Sequence, residues 1–185
     1  METREKIQVL LYDAVSVLIT ATIILAILFT FFFRFVGVIG NSMNPILTTG
    51  DYVLLNEMGS NYKPHYGDVV VISRPGSLNE SIIKRVIATE GETINIDFGS
   101  GKVFLDGAEI VEPYINNSTN TKYDMKFPLE VPEGYCFVMG DNRQGSIDSR
   151  STIVGLIDNR SIIGKATKGI TQEGIVSLDV RDFLE

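Results

Sequence analysis

From Ala14 to Phe33 the chain runs for 20 residues without a charge, and 16 of them are apolar, interrupted only by Ser16, Thr20, Thr22 and Thr30. As a helix this stretch is about 30 Å long, the thickness of a bilayer's hydrocarbon core. Its hydroxyls can bond back to the helix's own carbonyls. A cleavable export signal has a shorter apolar region followed by a small-x-small site, whereas this run ends in Phe31-Phe32-Phe33-Arg34. The expectation is a retained anchor. Arg4 and Lys6 precede it and only Arg34 follows closely, a bias that favours the N-terminus inside. The expected organisation is therefore a cytoplasmic N-terminus over 1–13, a transmembrane anchor over 14–33, and an extracytoplasmic domain over 34–185.

The outer part carries all of the net charge of −7, with 20 acids against 13 bases beyond residue 35. A nucleic-acid partner is disfavoured, because polyanion binding needs a basic surface. The single Cys136 excludes a disulfide scaffold. Apolar stretches here are short and β-branched, separated by Gly, Pro, Asn and Asp. Val53–Leu55, Val69–Ile72, Ile82–Ile87, Thr93–Ile96, Val103–Leu105, Phe137–Met139 and Ile162–Ile163 read as strands. Asp97–Gly101 and Asp106-Gly107 read as hairpin turns. No long stretch of the outer part has a helical stripe, so the fold class is mainly β: an antiparallel, barrel-like domain behind one N-terminal transmembrane helix. Glu112–Phe127 is expected as a polar excursion.

Scarcity narrows the chemistry. His65 is the only histidine, and nothing near it in sequence suggests an orienting carboxylate, so a Ser-His-Asp triad is disfavoured. One His and one Cys cannot make a zinc set, and Arg143 stands where a calcium loop wants an oxygen ligand. No metal and no cofactor is expected. Lys84 is the informative base. Alternation along Ile82–Ile87 places Lys84 with Ile82 and Val86, and Arg85 with Ile83 and Ile87, so neither face is a clean solvent face. Of the two cations only lysine can lose its proton when desolvated, while the bland alternative has both snorkelling or pairing with acids. Two Ser-x-x-Lys matches, Ser60–Lys63 and Ser81–Lys84, read as chance, because Ser81 and Lys84 in a strand face opposite ways.

Four segments taken in order behind one anchor carry a family resemblance. Ser42-Met43-Asn44-Pro45-Ile46-Leu47 resembles the Ser-Met-x-Pro-Thr-Leu box of the type I signal peptidases, in the compact single-anchor bacterial form, with Ile46 in place of Thr. Gly67-Asp68-Val69-Val70 is similar to their second box. Lys84-Arg85-Val86 is similar to the start of the lysine box, although Ala88-Thr89-Glu90-Gly91-Glu92 departs from its Gly-x-Pro-Gly-Asp ending. The segment Gly140–Arg150 matches Gly-Asp-Asn-Arg-x-x-Ser-x-Asp-Ser-Arg in full. Val154-Gly155 and Ile163–Ala166 resemble the strand that closes the family's domain.

The resemblance implies a membrane-bound serine endopeptidase that removes signal peptides from exported preproteins after a small-x-small site. Ser42 would be the nucleophile and Lys84 the general base, with Ser146 orienting the lysine amine. Asp148 and Arg150 would form a structural ion pair, and Asp141 would help hold the site. The Ser42 backbone N–H is the expected oxyanion donor; a second would come from the region of Gly40, which has no hydroxyl. Val36, Val38, Ile39, Met43, Leu47, Ile82 and Ile83 are candidate walls for the substrate's small side chains. Exported preproteins and the lipid bilayer are the implied partners, with the translocation machinery a further candidate. The rival reading is a catalytically impaired homologue that binds extended peptides or partners, motivated by Ile46 and Glu90. A self-cleaving repressor with the same residue pair would need a DNA-binding domain, which the hydrophobic N-terminus is not.

Overall fold

The N-terminal segment is one helix, α1, from Glu2 to Phe32, about 46 Å long at 1.5 Å per residue. The structure, a computed structural model, describes residues 2–32, 34–58 and 62–183; Phe33 and the Ser60 of one chance motif lie outside them. The helix starts well before the uncharged run, because Glu2–Asp13 is rich in good helix formers. Among the described residues, Glu5–Ile27 is long and apolar enough to cross a membrane, and its apolar window is not buried. Thr20 and Thr22 each donate their hydroxyl to a carbonyl one turn back, Ser16 O and Leu18 O, at 2.8 Å. These two hydroxyls are thereby satisfied within the helix. The chain divides into two compact units, residues 1–34 and 35–185.

In the second unit the strands are β1 (Arg34–Gly37), β2 (Tyr52–Met58), β3 (Val69–Ile72), β4 (Ile82–Thr89), β5 (Thr93–Asp97), β6 (Lys102–Leu105), β7 (Ala108–Glu109), β8 (Leu129–Glu130), β9 (Tyr135–Met139), β10 (Ile157–Asp158), β11 (Ile162–Thr171) and β12 (Gly174–Ser177). Among the described residues they form two sheets. The larger runs β1-β2-β11-β3-β4-β9-β10, with β12 added to β11; the smaller runs β7-β6-β5-β8. The registered pairs are antiparallel. The expected antiparallel, barrel-like β fold is present. Each apolar run read as a strand lies in one, and Asp106 and Gly107 turn the chain with positive φ of 50° and 82°, as a two-residue hairpin requires.

Three apolar clusters fill the domain. One joins Met43 and Leu47 to Leu55, Val69, Val71 and Leu178; a second packs Val70, Val86 and Val138; the third lies under the smaller sheet around Ile87, Ile94 and Phe137. All four side chains of β3 are buried, as a central strand covered on both faces demands. β11 crosses the middle of the larger sheet, and Gly169 lets it pass close to the segment that carries Ser42. A Cβ there would sit 2.7 Å from Leu47 Cδ2 and 2.9 Å from Val176 Cγ2.

Candidate active site

Ser42 sits in a tight turn between β1 and β2. Three backbone bonds close it: Asn44 N–H to Asn41 O, and the N–H groups of Ile46 and Leu47 to Met43 O, at 3.0–3.2 Å. The Gly140–Arg150 segment clamps the turn from across the fold. Asn142 N–H donates to Ser42 O at 3.0 Å, and the Asn142 side-chain amide donates to Asn41 O at 3.0 Å. Gly140 makes this approach sterically possible, because a Cβ there would lie 2.4 Å from Ser42 O and 2.3 Å from Ser146 Oγ.

Lys84 reaches the same point from β4. Its Nζ lies 2.8 Å from Ser42 Oγ and donates to Ile83 O at 3.0 Å. The residue is only 3% exposed, and no ion pair to it exists among the described residues. Burial pushes the amine down from 10.5 to about 8, against the pull of Asp148, Asp141 and Glu80. Burial dominates because no carboxylate comes close enough to compensate. Arg85, the next residue, is also buried but points into a full set of acceptors. Asp141 takes it at two points, 2.9 and 2.7 Å, the carbonyls of Gly67 and Leu178 accept at 2.8 and 3.0 Å, and the Tyr114 ring lies 4.1 Å below the guanidinium. The two cations of the strand thus part company: the guanidinium is paired and the amine is not.

Asp148 and Arg150 form the expected buried pair, with Nε and Nη2 donating at 2.8 and 2.9 Å. Asp148 also accepts the Gly140 N–H at 3.0 Å, and Arg150 donates to Arg143 O at 2.7 Å. Ser146 departs from expectation. Among the described residues its buried hydroxyl has no hydrogen-bond partner, while the lysine amine bonds Ser42 and Ile83 O instead. The wall candidates divide. Val38, Met43 and Leu47 are buried in the core because apolar neighbours cover them from below the turn, so they present no open surface. Val36, Ile82 and Ile83 are half-buried, and Ile39 is 93% exposed. No hydrogen bond engages the Ser42 N–H among the described residues. Gly40 has φ of 95°, a conformation that L side chains rarely adopt.

Two groups escaped the sequence reading. Glu112 holds Arg143 at two points, 2.7 and 2.6 Å, and Arg143 Nε donates to Gly140 O at 3.0 Å. The polar excursion is therefore tied to the active-site loop. His65 does have a carboxylate beside it, since Asp68 Oδ2 lies 3.7 Å from Nδ1; the imidazole is largely exposed, and Asp68 chiefly serves Lys165, at 2.8 Å, and the hydroxyl of Tyr62 at 2.5 Å.

An antiparallel β domain that sets a serine hydroxyl against a buried lysine amine follows, along the chain, a helix apolar enough to cross a membrane. Residues 11–169 match the Peptidase S26 family, described as signal peptidase, peptidase S26. The signal peptidase I of Bacillus licheniformis is 32% identical over 165 residues, covering 83% of this chain and 85% of the relative. Signal peptidase I T of Bacillus subtilis strain 168 is 35% identical over 158 residues, covering 79% and 78%. A solved signal peptidase I from Enterococcus faecalis V583 shares 31% identity with a TM-score of 0.46, covering 57% of this chain and 98% of that one. The chain belongs to the signal peptidase family, peptidase S26. It is a serine protease of the signal peptidase I type.

Proposed function

We propose that Ser42 is the nucleophile and Lys84 the general base of this protease, and that it cleaves after a small-x-small segment at the outer membrane surface. The observation that carries the pair is the 2.8 Å separation of Ser42 Oγ and Lys84 Nζ with the amine nearly dry. A solvated lysine, with a pKa near 10.4, is almost wholly charged at pH 7 and cannot take a proton. Held down at about 8, a useful fraction is neutral. The neutral amine accepts the Ser42 proton as Oγ attacks the scissile carbonyl. The resulting ammonium returns that proton to the leaving amine, which releases the mature protein. Water, deprotonated by the same amine, then hydrolyses the ester on Ser42 and frees the signal peptide as a carboxylic acid.

The unengaged Ser42 N–H is our candidate for the oxyanion, with Gly40 leaving space beside it. Asp141, Asp148 and Arg150 support the pair by fixing the 140–150 segment that holds the Ser42 turn. Anchoring by the uncharged run within α1, N-terminus inside, sets the location: Ser42 follows Phe33 by nine residues, so an extended link reaches about 30 Å at most. A preprotein held in the bilayer by its own apolar helix presents an extended segment at that height, and Val36, Ile39, Ile82 and Ile83 are the surface candidates for its walls. Lipid, and the translocation machinery that delivers such chains, complete the proposed partners.

The departures do not favour an impaired homologue. Glu90 lies beyond the far end of β4, six residues or about 20 Å from Lys84 along a strand, where its carboxylate accepts the Gly134 N–H at 2.8 Å. Ile46 packs against the core cluster below the turn. The test is cleavage of a secreted precursor by the purified full-length protein: wild type cleaves, and Ser42→Ala and Lys84→Ala do not. Full cleavage by either variant would refute the pair.

A further inference from the structure

The C-terminal tail lies beyond residue 169, where the match to the family ends, yet it folds back onto the support of the active site. After β12 the chain buries Leu178 in the same cluster as Met43 and Leu47. Leu178 N–H donates to Thr167 O at 3.1 Å, which fixes the backbone there, and Leu178 O then accepts from Arg85 Nη1 at 3.0 Å. Val180 and Phe183 belong to a short 3₁₀ turn, Val180–Phe183. Val180 is 8% exposed and fills the space over Gly67, where a Cβ would meet Val180 Cγ1 at 2.4 Å. Phe183 meets Tyr114 edge to face, with ring centroids 6.4 Å apart. Tyr114 is the ring under the Arg85 guanidinium.

Three consecutive contacts of the tail therefore converge on one buried cation. Arg85 neighbours Lys84 in β4, and its carboxylate partner Asp141 sits between Gly140, which touches Ser42 and Ser146, and Asn142, which binds Ser42 O. We propose that residues 178–183 are a positioning latch for the catalytic pair, closing over Arg85 and holding the Arg85–Asp141 pair, and through it the 140–142 backbone, against the Ser42 turn. The physical reason is satisfaction of a buried charge. Without Leu178 O one guanidinium N–H loses its acceptor, and without Val180 and Phe183 water reaches a pair that depends on a dry setting. The 140–142 backbone then loses its hold through Asp141 and keeps only those through Asp148 and Arg143 at Gly140, and small displacements of a nucleophile are large in rate.

This inference rests on the Ser42–Lys84 reading, and the test separates the two. Full-length protein in detergent, a protein ending at residue 177, Val180→Ala, Phe183→Ala and Ser42→Ala are compared for precursor cleavage, thermal melting and the pH dependence of kcat. The groups acting on Lys84, namely Asp148, Asp141 and Glu80, are unchanged in every variant. The latch predicts a fall in kcat of at least tenfold for the shortened protein and several-fold for Val180→Ala and Phe183→Ala. KM stays within about twofold, and the pH midpoint moves upward as the amine becomes wetter. The point variants carry the decision if the shortened protein does not fold. Wild-type kcat and midpoint in folded tail variants would overturn the latch, as would a loss of rate that only follows the folded fraction with the midpoint unmoved. Cleavage by Ser42→Ala would instead sink the catalytic pair, whatever the tail variants do.

Discussion

Lys84 is held where its charge is unwelcome, and that has a consequence for stability with a definite sign. The unfolded chain binds its proton up to 10.5 and the folded one only up to about 8, so stability rises with pH between those values. Below pH 8 the full penalty applies, on the order of 3 kcal/mol. Lys84→Met is therefore predicted to abolish cleavage and to raise the melting temperature at pH 7, with the gain shrinking as pH rises from 8 toward 10.5. A melting curve in detergent at pH 7 and pH 10 checks both parts. Gly140 is the second sensitive residue. Gly140→Ala places a methyl carbon under 2.5 Å from two atoms of the site, and because one of them is the Ser42 carbonyl, relief shifts the proposed nucleophile. The expectation is a fall in kcat of about 100-fold in a protein that still folds, read from steady-state cleavage alongside its circular dichroism.

At the scale of elements, the β-branched runs that read as strands include β3 and β4, whose side chains pack on both sides, and β5, which alternates buried with exposed positions. The strands that escaped include β1, four residues, and β7, β8 and β10, two residues each, whose pairing comes from their neighbours and not from their own pattern. β12 and the tail gave no local signal either, because their role is to cover something built by residues far back in the chain. The same limit applies within the site. Lys84 stood out by the chemistry of its strand, while Ser42, Asp148 and Arg150 came from the resemblance. Arg85–Asp141 and Arg143–Glu112 join residues 56 and 31 apart, and only the folded chain pairs them. The excursion is held by the second of these. Arg143 is fully buried and Glu112 nearly so, so Glu112→Gln leaves a buried cation without its anion and should destabilise the domain by about 3–5 kcal/mol. A urea titration measures that loss, and an unchanged midpoint would show that the excursion is not anchored there.

For the whole molecule, one apolar helix and one acidic β unit divide the labour of location and chemistry. The proposed topology, N-terminus inside, predicts that protease added to intact spheroplasts digests the β unit and leaves a protected N-terminal fragment of roughly the length of α1. Protection of the full chain under those conditions would reverse the orientation. On the proposed reading the bilayer presents the substrate, and a chain with one histidine needs at its site only a serine and a base that is neutral often enough. The pH dependence of kcat/KM on a precursor tests that claim most directly. Catalysis by Lys84 predicts a rise of about tenfold per pH unit from pH 5 up to a midpoint near 8 and a plateau above it, whereas a rate that stays flat from pH 5 to 9 would contradict a lysine base.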